Sequence, residues 1–150
     1  MYAPHRAPPR PMARETVEDD RLLRLAADLA NVRRNRDDQI ALARAEERVA
    51  GARRLAEVYD DLVRSLDNNP DRESPWYQGH VAILDKVRRM LDDAGATEVG
   101  VIDEPFDPEV HEAIGTAPGA EGNVVAVARP GFLLDDGTLV RPAQVLVGHG

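Results

Sequence analysis

Apolar residues recur at three-four spacing through the first half of the chain. Leu22, Leu25, Leu29 and Val32 form one such stripe, but the next positions in register, Arg36 and Gln39, are polar. A coiled-coil seam here is therefore short or irregular. Ala52, Leu55, Tyr59, Leu62 and Leu66 form a second stripe with the same spacing. From Thr16 to Asp67 there is no proline and a single glycine, Gly51, while Glu18, Asp19 and Asp20 crowd the first turn, where the helix dipole favours negative charge. The pattern predicts one long helix. Some fifty residues at 1.5 Å rise extend roughly 75 Å, far beyond a small domain, so such a helix needs a partner helix.

The breaker loop "DNNPDRE" ends this segment. Ser74 followed by Pro75 reads as an N-cap with proline in the first helical turn, and Gly95 stands where a helix C-terminal glycine belongs. Between them Val81, Ile83, Leu84, Val87, Met90 and Leu91 make a wide apolar stripe. Two helices bury little surface alone, so the expected solution is a dimeric four-helix bundle. Its pairing positions are Leu22, Leu25, Leu29, Val32, Leu55, Tyr59, Leu62, Leu84, Val87 and Leu91. After Gly95 the texture changes to the valine-rich segments "TEVGVID", "NVVAVARPGFLL" and "TLVRPAQVLV", broken by Pro-Gly and Asp-Asp-Gly turns. These predict a small β domain, with Asp136-Gly137 suited to a tight hairpin turn. The expected class is α+β: residues 1–15 a disordered, proline-rich arm, 16–95 helical and dimer-forming, and 96–150 the β domain.

Composition narrows the function. With 43% apolar but only 4% aromatic residues, the interior should be thin. The formal net charge of -8 argues against nucleic acid and anionic membrane as partners and leaves a protein as the expected one. No apolar run reaches the ~20 residues of a membrane helix, and no apolar secretory core opens the chain, so a cytoplasmic location is expected. Cysteine is absent, which removes disulfides and thiolate zinc sites. All but one of the basic residues are arginine, read as genome bias before functional preference.

Candidate chemistry is sparse. "FDPEVHEAIG" places His111 among Asp107, Glu109 and Glu112, but a metal site needs several donors, and the remaining histidines are His5, His80 and His149. "HEAIG" also lacks the second histidine of a helical zinc-protease motif. Serine occurs only at Ser65, in the long helix, and Ser74, at a cap. The glycines follow neither a dinucleotide nor a phosphate-loop pattern, so no catalytic residue, metal or cofactor is assigned. By spacing alone Arg33 and Arg34 form a solvated face, and Phe106 is either a contact residue or a core aromatic.

Together, "LLRLAADLANVRRN", "LAEVYDDLVRSLD", "DEPFDPEVHEAI" and "GNVVAVARPGFLLDDGTLVRPAQVLV" resemble the GrpE family, the nucleotide exchange factors of the bacterial Hsp70 chaperone DnaK. The resemblance covers roughly 20–147 and rests chiefly on the last two segments. It implies a homodimer with long paired helices, a four-helix bundle, and a β domain per subunit that docks on the ATPase domain of DnaK. By position it implies Hsp70 contacts at Arg33, Arg34, Gly79, Phe106, Ala128 and Val147. Asn35 stands where a third basic residue is common, Thr138 replaces an arginine seen in some members, and Ala128 is smaller than usual. These departures keep a second reading open: a GrpE-like dimeric adaptor that binds Hsp70 or another protein without exchange activity.

Overall fold

The computed structural model describes residues 12–150, with side chains from residue 16 onward. Most of the expected arm therefore lies outside the described residues. The first helix, α1, spans Met12–Asp67. It starts ahead of Thr16 because Met12, Ala13, Arg14 and Glu15 are themselves good helix formers.

The chain divides into two compact units, residues 1–44 and 45–150. In the first, α1 is exposed along its described length, and Leu22, Leu25, Leu29 and Val32 lie 55–64% exposed. Nothing in the described first unit covers this stripe.

The second unit contains the rest of α1, helix α2 (Pro75–Asp93) and six strands: β1 (Ala96–Val99), β2 (His111–Pro118), β3 (Val124–Arg129), β4 (Gly131–Leu134), β5 (Leu139–Arg141) and β6 (Ala143–His149). Helix α2 begins as its sequence predicts: Ser74 Oγ accepts from the Tyr77 N–H at 3.2 Å and Pro75 occupies the first turn. At its end Gly95 takes φ 77°, and its N–H donates to the Asp92 carbonyl at 2.8 Å.

The strands form two three-stranded sheets. One has the order β1-β4-β5, antiparallel throughout; the other has the order β2-β6-β3, with β2 parallel and β3 antiparallel to the central β6. The β4–β5 connection is a four-residue loop and not a two-residue turn. The Gly137 N–H closes on the Leu134 carbonyl at 2.9 Å, Gly137 takes φ 85°, and the β4–β5 register slips between Phe132 and Leu133.

The two Arg-Pro pairs of the β region are sheet-switching corners. Pro130 separates β3 in one sheet from β4 in the other, and Pro142 separates β5 from β6 in the same way. Proline lacks the N–H a ladder needs, so each pair ends one strand and lets the chain re-aim. The corners touch: a Cβ on Gly131 would collide with the Pro142–Ala143 backbone. Only glycine permits that approach.

The interior is thin, as the aromatic-poor composition predicts. Ala52, Ala56 and Tyr59 of α1, Val87 and Leu91 of α2, and Ala96, Phe132, Leu134 and Val140 of the first sheet form one cluster, against which Leu55, Leu62 and Leu84 pack in part. Tyr59, Val87 and Leu91, expected at a subunit seam, thus lie in the chain's own core, because the β1-β4-β5 sheet supplies their cover. A second, smaller cluster gathers Val124, Ala143 and Val145.

Candidate functional site

The segment joining β1 to β2 carries Phe106 and is pinned along its length. It leaves β1 at Gly100, whose φ of 91° and close approach to the Ala143 side chain exclude a larger residue. The Asp103 N–H donates to the Val124 carbonyl and the Val124 N–H to the Glu104 carbonyl, both at 2.8 Å. The Phe106 N–H reaches the Gly122 carbonyl at 2.9 Å. These bonds hold the half-exposed Phe106 side chain over the second cluster, beside Val99, Val127 and Val147. Phe106 is therefore both a core aromatic and a surface one.

Directly after it, Asp107 organises a turn. Its carbonyl accepts the Val110 and His111 N–H groups at 3.2 and 2.8 Å, and its Oδ1 accepts the Glu109 N–H at 2.9 Å. The turn closes on His111, whose Nδ1 accepts the Asp107 N–H at 3.0 Å. His111 as a whole is 5% exposed, with its ring centroid 5.8 Å from that of Phe106. Nε2 lies 3.0 Å from Glu104 Oε1 but out of line for a hydrogen bond. Among the described residues no group of three or more histidine or carboxylate side chains is placed to hold a metal. The histidine belongs to the scaffold that supports Phe106.

The strongest electrostatic feature is one the sequence did not disclose. Asp60 of α1, 13% exposed at its side chain, accepts both terminal nitrogens of Arg141 at 2.7 and 2.6 Å and Arg129 Nε at 2.8 Å. Arg141 Nε also donates to the Pro130 carbonyl at 2.9 Å, and its guanidinium lies over Phe132. Burial alone pushes the Asp60 carboxyl up, but the hydrogen bonds and charge of Arg141, then of Arg129, outweigh it and hold Asp60 below the usual aspartate range. Both arginines come from the Arg-Pro corners, so one carboxylate ties the sheet-switching points to the helix. Elsewhere on the same interface Arg48 Nε donates to the Ala94 carbonyl and Arg53 to the Val140 carbonyl, both at 3.1 Å. The pairing of two Arg-Pro steps was the available clue; the helix aspartate that joins them has no local signature.

The residues singled out for partner contact fall in both units. Arg33 and Arg34 belong to the first unit and are exposed. In the second unit, Val147 on β6 is half-buried with Phe106. Ala128 is exposed beside the inward Val127 and lines a cleft of about 300 Å³ with Val63, Arg64, Arg129 and Gln144. Gly79 is exposed on α2, with open space where a Cβ would stand. Thr138 sits in the exposed β4–β5 loop, its N–H donating to Asp136 Oδ1 at 2.9 Å. No helix of the described residues is long and apolar enough to cross a membrane.

Comparison with known proteins accounts for this architecture. The GrpE family model matches residues 13–149. Among curated relatives, Protein GrpE of Thermus thermophilus is 39% identical over 130 residues, covering 87% of this chain and 73% of that protein. Protein GrpE of Meiothermus ruber is 34% identical over 131 residues, covering 87% and 74%. Protein GrpE of Lactiplantibacillus plantarum is 35% identical over 140 residues, covering 89% and 69%.

Proposed function

The chain belongs to the GrpE family of co-chaperones, and on that premise we propose that it binds the ATPase domain of a DnaK-type Hsp70 and promotes release of ADP. It acts by binding and supplies no bond-making chemistry. The observation that carries the reading is the extent of the match: residues 13–149 take in both helices and the whole β region, including the pinned segment that presents Phe106.

The mechanism is a population shift. The β region binds an opened ATPase domain more tightly than the closed, ADP-bound one, and only that difference can move the equilibrium. By linkage the protein weakens ADP binding by the same factor that ADP weakens binding of the protein, typically about 5- to 150-fold. Arg33, Arg34, Gly79, Phe106, Ala128 and Val147 are the proposed contacts. Exposure of Gly79 and Ala128 and half-exposure of Phe106 and Val147 support that role.

A second copy of the chain is the proposed cover for the apolar side chains left in solvent. Leu22, Leu25, Leu29 and Val32 of α1 and Trp76, Ile83 and Met90 of α2, the latter at seven-residue steps, are the surfaces it would bury. Sedimentation equilibrium should return twice the chain mass at micromolar concentration.

The deciding experiment is stopped-flow release of a fluorescent ADP from the Hsp70 of the same organism. Substoichiometric protein should accelerate release; no acceleration with any Hsp70 of that organism overturns exchange activity. Stable Hsp70 binding with an unchanged ADP off-rate would instead identify an adaptor, and Asn35, Ala128 and Thr138 would be the first positions to restore.

A further inference from the structure

His111 is buried and makes a contact that depends on its protonation state. The Asp107 N–H donates to Nδ1 at 3.0 Å, so Nδ1 must carry a lone pair and the proton of the neutral ring must sit on Nε2. A second proton can enter only at Nδ1, where it would face the Asp107 N–H donor to donor. The hydrogen bond that closes the Asp107 turn exists only with the neutral ring.

One carboxylate faces the ring from its other nitrogen. Glu104 Oε1 lies 3.0 Å from Nε2 and is already engaged by the Val101 N–H at 2.8 Å. Asp107 faces the ring through its backbone, with its carboxylate turned to the Glu109 N–H. On the strand that pairs with β2, Ala143 stands opposite His111 and the neutral Gln144 opposite Glu112, to which Gln144 Nε2 donates at 3.0 Å. The ring of Phe106 covers another side. Glu104 is the ion-pair partner found for His111 among the described residues, and no arginine or lysine pairs with it. The ring thus touches the chain at Glu104 through Nε2 and at Asp107 through Nδ1, and the segment between those two residues is the one that carries Phe106.

We propose that His111 is a positioning residue that makes docking pH-sensitive: as the neutral Nε2–H tautomer it holds the Asp107 turn and Phe106 in place, and acidification releases them. The link to docking rests on the function proposed above; the link to the turn does not.

The test has one arm for each link. By NMR on the full chain between about pH 8 and about pH 5, the interval that brackets ordinary histidine titration, the Asp107 amide should lose its hydrogen-bonded shift and its protection from exchange. The loss should share a midpoint with the His111 ring resonances, while the Val145 amide of β6 stays protected. An Asp107 amide indifferent to the ring titration, or a ring that stays neutral until the protein unfolds, overturns the proposal. The second arm compares wild type with His111→Asn in binding to the Hsp70 ATPase domain across the same interval. Asparagine Oδ1 reproduces the acceptor at the Nδ1 position and does not titrate. Wild type should lose about five- to tenfold more affinity on acidification than His111→Asn, the value of one hydrogen bond. Equal losses overturn the proposal, since pH effects on the partner are common to both proteins. If wild type binds no Hsp70 at any pH, the docking reading fails and the amide measurement still decides whether His111 controls the turn.

Discussion

Leu22, Leu25, Leu29 and Val32 repeat on α1 at the same three-four spacing as Leu55, Tyr59, Leu62 and Leu66. The first set stands in solvent. In the second, Tyr59 and Leu66 are buried and Leu55 and Leu62 pack partly against the core. Nothing in the local pattern separates them, since both are apolar stripes on one uninterrupted helix. The difference is what the rest of the chain supplies: α2 and the β1-β4-β5 sheet bring Val87, Leu91, Phe132 and Val140 to the second stripe, whereas the described first unit is α1 alone. A stripe shows that a face is to be covered and leaves open by what. The charged positions make the same point. Arg33 and Arg34 remain solvated, while Asp60, Arg48 and Arg53 are engaged with the β region.

Substitution can break this contrast at its strongest point. Leu91, 1% exposed, touches the centre of the main cluster, so Leu91→Ala should cost about 2–5 kcal/mol, read as a lower urea midpoint at unchanged slope. Asp60→Asn should come close behind, at about 3 kcal/mol, because it leaves the buried Arg141 without its counter-charge. The same pair sets an acid limit. The native Asp60 carboxyl titrates below its unfolded value, so its stabilisation is complete above the ordinary aspartate range of about 3.9 and is lost as pH falls through the lower native value. Urea midpoints measured from neutral to acid pH should fall more steeply for wild type than for Asp60→Asn.

Smaller effects sharpen the comparison. Ser74→Ala removes the acceptor for the Tyr77 N–H and should cost about 1 kcal/mol, visible in thermal melts followed by circular dichroism. Leu25→Ala, at a position already 55% exposed, should change the dilute chain by less than about 0.5 kcal/mol. If a second copy covers this stripe, its effect should grow with protein concentration and appear as weaker self-association in sedimentation. A concentration-independent loss as large as that of Leu91→Ala would show that the first stripe is packed within one chain.

Much of the fold was legible because it rests on local rules. An unbroken run of helix formers determined α1, the Ser74-Pro75 cap and Gly95 determined the limits of α2, and valine-rich segments with Asp-Asp-Gly and Pro-Gly breaks determined the β region. The specific "FDPEVHEAIG" and "RPGF" stretches also identified the family, although not the role of each residue within them. His111 is an example: its carboxylate neighbours suggested chemistry, and the backbone geometry of the Asp107 turn made it a support beneath Phe106.

What only the tertiary structure decided depends on residues far apart in the chain. Tyr59, Val87 and Leu91 lie in the core of the chain itself because the first sheet closes over them. The Pro130 and Pro142 steps are corners between sheets, a distinction that depends on which strands pair. Asp60 meets Arg129 and Arg141 across 69 and 81 positions of sequence. Helix, cap and turn preferences act over a few residues and can be read in order along the chain. Burial and charge pairing act through space, and the same leucine or aspartate is exposed or buried according to what the fold brings to it.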